Sequence, residues 1–129
     1  MNRIDFLKSL FAGSTLLFLP KNRIEKPARE IRLSSPYLAG FQYYEGPEIE
    51  PQLRENNLLT LKREPTNPHD RYAIEVFQNN TKLGYLPRAE NKVIAWLMDQ
   101  GVAVKARILK VDPEVYAYRK VKIITYYED

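Results

Sequence analysis

Short apolar stretches separated by polar turn residues dominate the chain after residue 36. Alternating polar and apolar positions, or runs of β-branched and aromatic residues, are typical of half-buried strands. We predict strands in the segments that share these patterns: 37–44, 57–62, 72–77, 82–85, 102–111 and 115–127. Gln78-Asn79-Asn80 predicts a hairpin turn, and Pro113 lies in the turn between the last two strands. The pattern therefore predicts a mainly β domain.

One segment between these strands has helical periodicity instead. Four apolar residues recur at i, i+4, i+7 and i+8, which places them on one helical face: Ala89, Val93, Trp96 and Leu97. Gly101 follows directly and is a typical C-terminal stop. We predict a helix over 89–100 with Trp96 in the core, and a shorter helix within 46–56. The fold class is then α+β, mainly β with two helices.

The first 29 residues have the pattern of a targeting segment. A short basic start, 1–8, is followed by an apolar stretch, 9–20, and by a polar run, 21–29. The apolar stretch has the length of a signal peptide and is shorter than the ~18 residues that a membrane span needs. Residues 3–8 are similar to the end of a twin-arginine export signal, except that Ile4 stands in the place of the second arginine.

These features predict a signal-like or anchor leader and linker in residues 1–29 and a folded domain in residues 30–129, with the linker extending from Lys21 to Ser35. Residues 3–20 are expected to contact a membrane or the export machinery and to lie apart from the domain core. An exported or membrane-associated protein is the favoured interpretation, and a cytoplasmic protein is the alternative.

The charge of the chain is concentrated in this leader. The formal net charge is +4, and the first 29 residues hold six basic against two acidic residues. The other 100 residues carry 14 basic and 14 acidic residues, so bulk charge gives no argument for nucleic-acid binding. The absence of cysteine excludes disulfides, thiolate metal sites and cysteine nucleophiles, and a single histidine excludes a histidine-rich metal site.

The candidate chemistry is concentrated in a polar loop between two predicted strands. Residues 63–71 combine two prolines with Asn, His, Asp and Arg, and such loops on a rigid scaffold commonly carry recognition residues. Catalysis is not indicated, because His69 and Asp70 are neighbours on a turn and the carboxylate cannot support the imidazole from behind. Asp70 with Glu64 and Glu75 is a weak set for a metal. We therefore expect no catalytic residue, no metal and no cofactor.

Three motifs resemble the HIRAN domain family. They are Gly40-Phe41-Gln42-Tyr43-Tyr44, then Arg63-Glu64-Pro65-x-Asn67-Pro68-His69-Asp70-x-x-Ala73-Ile74-x-Val76, and finally Leu83-Gly84-Tyr85-Leu86-Pro87-Arg88. The likeness covers residues 37–126. It implies a small OB-like antiparallel β-barrel with two helices, and binding of single-stranded DNA at its 3′-hydroxyl end.

The resemblance implies that seven residues bind DNA: Tyr43, Tyr44, Asn67, His69, Asp70, Tyr85 and Arg88. Tyr43 and Tyr44 match the tyrosine pair on which terminal bases stack. Alternate strand residues point to opposite sides, so the alternative that only one tyrosine faces the ligand stays open. Asp70 matches the carboxylate that accepts the proton of the terminal hydroxyl, while a carboxylate that only satisfies backbone amides of the turn is the alternative.

The remaining positions are interpreted in the same way. Asn67 is expected mainly to stabilise the turn, and His69 either contacts a nucleotide or faces solvent. Tyr85 and Arg88 match a pair after the glycine of the third motif, where Arg88 would hold a phosphate. Further cations are possible neighbours of that phosphate: Arg63, Arg71 and Lys92. Gln42 departs from the family, whose eukaryotic members have arginine there, so one expected phosphate contact is missing.

Two functions of different classes follow. The first is a binding module for single-stranded DNA 3′ ends with a role in DNA repair. The alternative is an exported or membrane-associated interaction protein that keeps the HIRAN fold without binding DNA. The location of the protein separates the two, because a DNA-end function requires access to the cytoplasm.

Overall fold

The computed structural model of the protein describes residues 28–114 and 119–129. Six strands form one antiparallel sheet in these ranges: β1 (Glu30–Ser34), β2 (Leu58–Arg63), β3 (Ile74–Gln78), β4 (Thr81–Tyr85), β5 (Lys105–Val111) and β6 (Val121–Glu128). The strand order is β1-β6-β5-β2-β3-β4. The helices of the same ranges are α1 (Arg88–Asp99) and two 3-10 helices, Phe41–Tyr43 and Gly46–Gln52. The predicted mainly β, α+β class is confirmed.

The core is an apolar cluster between the sheet, helix α1 and the first 3-10 helix. It is built from residues that are almost completely buried: Leu38, Phe41, Ile74, Val76, Leu83, Leu86, Ile94, Ile108 and Ile123. The prediction that Trp96 lies inside is wrong, since its side chain is 45% exposed and Val93 is 60% exposed. The helix instead buries Asn91, Ile94 and Ala95, which have the i, i+3, i+4 spacing of one face. The sequence pattern misled because the buried face contains a polar residue.

A segment before the first 3-10 helix connects strand β6 with the edge strand β4. Leu38 donates its backbone N–H to Val121 of β6, and Ala39 exchanges two backbone hydrogen bonds with Tyr85 of β4 (2.8 and 3.0 Å). These are isolated bridges, so the sheet is not closed into the predicted barrel. The predicted strand over 37–44 is wrong in its second half. Gly40 adopts a left-handed conformation (φ 75°) and starts the 3-10 helix that carries Tyr43.

Strand β1 lies in a segment that the sequence assigned to the linker. Its residues pair with the C-terminal strand β6, from Glu30 opposite Glu128 to Ser34 opposite Thr125. The prediction of a linker from 21 to 35 is therefore wrong for residues 30–34. The predicted leader falls mostly on residues 1–27, which lie outside the described residues. Within the described ranges, no helix has both the length and the apolar composition to span a membrane.

Candidate functional site

The polar loop between β2 and β3 is shaped by the side chain of Asn67. Its Oδ1 accepts hydrogen bonds from the backbone N–H groups of His69 (2.8 Å) and Asp70 (3.0 Å). Its Nδ2 donates to Oε1 of Glu64 (2.9 Å). An asparagine that satisfies backbone amides two and three residues ahead fixes a tight turn. Asn67 is therefore part of the frame of the loop, as its sequence context predicted.

Asp70 joins this loop to helix α1. Its Oδ1 accepts the backbone N–H of Tyr72 (2.9 Å), and its Oδ2 accepts from Nδ2 of the buried Asn91 (2.8 Å). Nε of Arg88 lies 3.8 Å from the same Oδ2. Partial burial favours the neutral acid, but the hydrogen bonds from Asn91 and Tyr72 and the charge of Arg88 outweigh it, so the pKa of Asp70 lies below its ordinary value. Asp70 is thus an ionised acceptor at neutral pH.

A second set of contacts surrounds Tyr85 at the end of β4. The Tyr85 hydroxyl donates to Oε1 of Glu64 (2.6 Å), and Lys82 Nζ donates to the Tyr85 oxygen (2.9 Å). The ring of Tyr44 packs edge to face against Tyr85, with centroids 5.8 Å apart. Lys82 Nζ lies 4.3 Å from the Tyr44 ring centroid and 4.2 Å from that of Tyr85, and pairs with Glu75 at 3.1 Å. The two tyrosines therefore share one cation.

The same contacts set the protonation of this group. Hydrogen bonds from Tyr85 and Asn67 hold the pKa of Glu64 below its ordinary value despite partial burial. Burial, followed by the hydrogen bond to Glu64, raises the pKa of Tyr85. Burial disfavours the charged form of Lys82, but hydrogen bonds to Tyr85 and Glu75 raise its pKa overall. At neutral pH Glu64 is therefore ionised, Tyr85 neutral and Lys82 charged.

These contacts link five of the seven predicted site residues into one continuous network, and two remain outside it. The linked residues are Tyr44, Tyr85, Asn67, Asp70 and Arg88, with Glu64 between the two halves. Within the described ranges, neither the Tyr43 ring nor the His69 imidazole forms a hydrogen bond, ion pair or ring contact with this network. Both are exposed, and Tyr43 is 77% exposed. The prediction that all seven residues bind DNA remains a prediction.

Three residues of the network were not singled out as binding residues in the sequence. Glu64 was named only as a weak metal ligand, while Lys82 and Asn91 were not named at all. The signal for Asn91 was available, because it lies three and four residues before the buried Ile94 and Ala95. A polar residue on the buried face of a helix needs a hydrogen-bond partner. Lys82 carried no such signal, since its position between two rings depends on how β4 meets the segment at Ala39.

Arg63, named as a possible neighbour of a phosphate, makes several contacts within the domain. Its guanidinium donates from Nε to Asp99 (2.9 Å) and from the other nitrogens to the carbonyls of Ala73 (2.8 Å) and Arg71 (3.0 Å). The side chain is only 14% exposed. Arg88 differs, because its side chain is 76% exposed. Among the described residues, no three His, Cys, Asp or Glu side chains are grouped so that they could hold a metal ion.

The chain is similar to known proteins. The HIRAN domain matches residues 31–127. The helicase-like transcription factors of Oryctolagus cuniculus and Mus musculus are 34% and 33% identical over 68 and 67 residues. Each match covers about half of this chain and 6% of the relative.

Two solved structures have the same fold. A crystal structure of a protein from Lactobacillus plantarum has a TM-score of 0.69 and 25% identity, covering 80% of this chain and 99% of that chain. The crystal structure of the HIRAN domain of human HLTF has a TM-score of 0.59 and 22% identity, covering 76% of this chain and 78% of that chain. Because the family match spans most of the chain, this protein belongs to the HIRAN domain family.

Proposed function

We propose that this HIRAN domain binds the ends of single-stranded DNA and recognises the 3′-hydroxyl group, without catalysing a reaction. The observation that carries the proposal is the contact between Asp70, an ionised and largely buried carboxylate, and the exposed guanidinium of Arg88. A hydroxyl needs an acceptor and a phosphate needs a cation. Asp70 and Arg88 offer both within one site.

The aromatic half of the network suits the terminal base. Tyr44 and Tyr85 are held against each other and against Lys82, so their rings are ordered before a ligand arrives. Stacking of a base on an aromatic ring tolerates any sequence and contributes ~1 to 3 kcal/mol. In this proposal Tyr44 supplies the stacking surface, Lys82 holds the two rings together, and Tyr43 and His69 add exposed groups beside them.

Asp70 is the residue that distinguishes a 3′-hydroxyl from a 3′-phosphate. Each of its oxygens already accepts one hydrogen bond, and a carboxylate has about four lone-pair positions, so an additional O–H can be accepted. A terminal phosphate would bring a like charge against this carboxylate, which is unfavourable in a partly buried site. Arg88 would bind the phosphate that precedes the terminal nucleotide, and this phosphate is present whether the strand ends in a hydroxyl or in a phosphate.

The test measures the affinity of the full-length protein for oligothymidylates that end in a 3′-hydroxyl or a 3′-phosphate. We expect the wild type to prefer the hydroxyl. Asp70→Asn should largely remove the preference for the 3′-hydroxyl, because the amide carries no charge that repels a terminal phosphate. Total affinity should fall less, because Asn91 can turn its own amide and keep a hydrogen bond to residue 70. Arg88→Ala should weaken binding to both strands and reduce the slope of log affinity against log salt by about 0.7.

Two matched variants outside the candidate site serve as controls. Glu128→Gln and Lys105→Ala remove the same kinds of charge from an exposed ion pair between β5 and β6, and we expect both to bind like the wild type. Equal affinity for the two strand ends would contradict hydroxyl recognition. If no single strand binds even at low salt, the domain does not bind DNA, and an interaction with another protein or a membrane becomes the better explanation.

A further inference from the structure

Beside helix α1, the exposed Trp96 of the helix and Tyr72 of the loop before β3 form an aromatic pair that the binding of a strand end does not use. Trp96 is 45% exposed, and its ring packs edge to face against Tyr72, with centroids 6.2 Å apart. Val93 lies three positions before Trp96 on the same helix and is also exposed. Exposed apolar side chains that lie together and are bordered by polar groups, unlike single ones, commonly mark an interaction site.

Two cations lie over these rings. Lys92 Nζ is 5.1 Å from the Trp96 ring centroid and 5.5 Å from that of Tyr72, and the Arg71 guanidinium is 5.2 Å from the Tyr72 centroid. Within the described ranges, no carboxylate forms an ion pair with Lys92 or Arg71. We name these residues the helix surface: Arg71, Tyr72, Lys92, Val93 and Trp96. Its positive charge is therefore available to an anionic partner.

The helix surface is continuous with the candidate site. Arg88, Lys92 and Trp96 lie at i, i+4 and i+8 of α1, so they form one stripe about 12 Å long. Arg88 at the start of this stripe contacts Asp70, and the backbone N–H of Tyr72 donates to the same carboxylate. The acidic Glu90 is two positions from Lys92 and lies on another side of the helix. A chain bound at Asp70 and Arg88 can therefore continue along Lys92 to Trp96.

We propose that the helix surface is a second contact region for the same single strand. Nucleotides on the 5′ side of the terminal one follow α1, with phosphates against Lys92 and Arg71 and one base stacked on Trp96. Alternating cations and aromatic rings are the features with which proteins bind single strands irrespective of sequence. The inference rests on the proposed function, since it extends the strand whose end the loop would hold.

The experiment uses the fact that Trp96 is the only tryptophan of the chain. Its fluorescence in the full-length protein therefore reports on this surface alone. We compare a two-nucleotide and an eight-nucleotide oligothymidylate, both with a 3′-hydroxyl. The longer strand should bind more tightly and should quench Trp96 emission, whereas the shorter one should occupy the first site without quenching.

Variants then separate stacking from charge. Trp96→Leu should weaken binding of the eight-nucleotide strand about five-fold or more and leave the two-nucleotide strand unchanged, whereas Trp96→Phe should retain most of the gain because it keeps a ring. Lys92→Gln should reduce the salt slope for the longer strand by about 0.7. Lys110→Gln, on strand β5, is the matched control and should leave both strands unaffected. Circular dichroism confirms that each variant is folded.

The results distinguish this inference from the proposed function. Equal affinity for both strand lengths with unchanged Trp96 emission would overturn the second contact region and leave end binding intact. Quenching and length-dependent affinity that persist equally with a 3′-phosphate would support the second region and overturn hydroxyl recognition. If no strand up to 12 nucleotides binds or changes the emission, both fail, and the helix surface is then assigned to a protein partner.

Discussion

At the scale of single residues, the pair formed by Asp70 and Asn91 connects the recognition loop with the helix. The amide of Asn91 is almost completely buried, and it donates to the carboxylate that also contacts Arg88. A buried polar group is stabilising only while its partner remains, because an unpaired one keeps the full cost of leaving water. The position of Asp70 in the site therefore depends on a residue with no contact to the proposed ligand.

We expect Asn91→Leu to lower the free energy of unfolding by about 1 to 3 kcal/mol, since it leaves the partly buried Asp70 carboxylate without this donor. Urea denaturation followed by circular dichroism measures the change. The matched comparison is a double-mutant cycle with Asp70→Asn. In the Asp70→Asn background, Asn91→Leu should lower the free energy of unfolding clearly less, because no charge is left unpaired. Additive effects of the two substitutions would show that the contact does not stabilise the fold.

At the scale of elements, the sequence predicted those helices, turns and strands that short stretches of sequence determine. The helix over 89–100, the hairpin around Asn79 and the strands β2 to β5 follow from periodicity and turn residues, and the structure confirms them. Strand β1 was missed because its five residues gain their partners only from β6, about 95 positions later in the chain. The placement of Lys82 was missed for the same reason, whereas the exposure of Trp96 was missed because the buried face of the helix includes the polar Asn91. The motif loop and the framing role of Asn67 were predictable, whereas the contact of Lys82 with the two tyrosine rings was not.

The bridge between Ala39 and Tyr85 of β4 leads to a prediction for the neighbouring Gly84. A Cβ atom at this position would lie 2.5 Å from the carbonyl oxygen of Ala39, and the backbone has φ +152°. Gly84→Ala should therefore destabilise the domain by about 1 to 3 kcal/mol and speed amide exchange at Ala39 and Tyr85. Gly101→Ala is the matched control, since its φ is +97° but no atom lies within 4 Å. Gly101→Ala should lower the free energy of unfolding by only about 1 kcal/mol. A loss at Gly101 equal to or larger than that at Gly84 would show that close approach to Ala39 is not what requires glycine at position 84.

At the scale of the whole molecule, both ends of the described domain are held together. Strand β1 is an edge strand that pairs with the C-terminal strand, and Arg29 forms an ion pair of 2.6 Å with Asp129. The loop and helix that form the candidate site lie elsewhere on the sheet, around β2 to β4 and α1. Since the domain carries as many acidic as basic residues, binding of an anionic strand would rely on local cations such as the exposed Arg88 and Lys92.

The acidic residues of the site also link its chemistry to the stability of the fold. The pKa values of Glu64 and Asp70 are lowered in the folded protein, so the unfolded chain binds more protons than the folded one as the pH falls through the ordinary range of carboxylates. Their stabilising contribution is present above the unfolded pKa values, near pH 4 to 4.5, and is lost as the pH falls toward the lower folded values. We expect urea midpoints to change little between pH 7 and pH 5.5 and to drop below about pH 4.5. Asp70→Asn should flatten this acid dependence, because its amide does not titrate, and an unchanged slope in that variant would show that the Asp70 carboxylate is not stabilised by the contacts that hold it in the site.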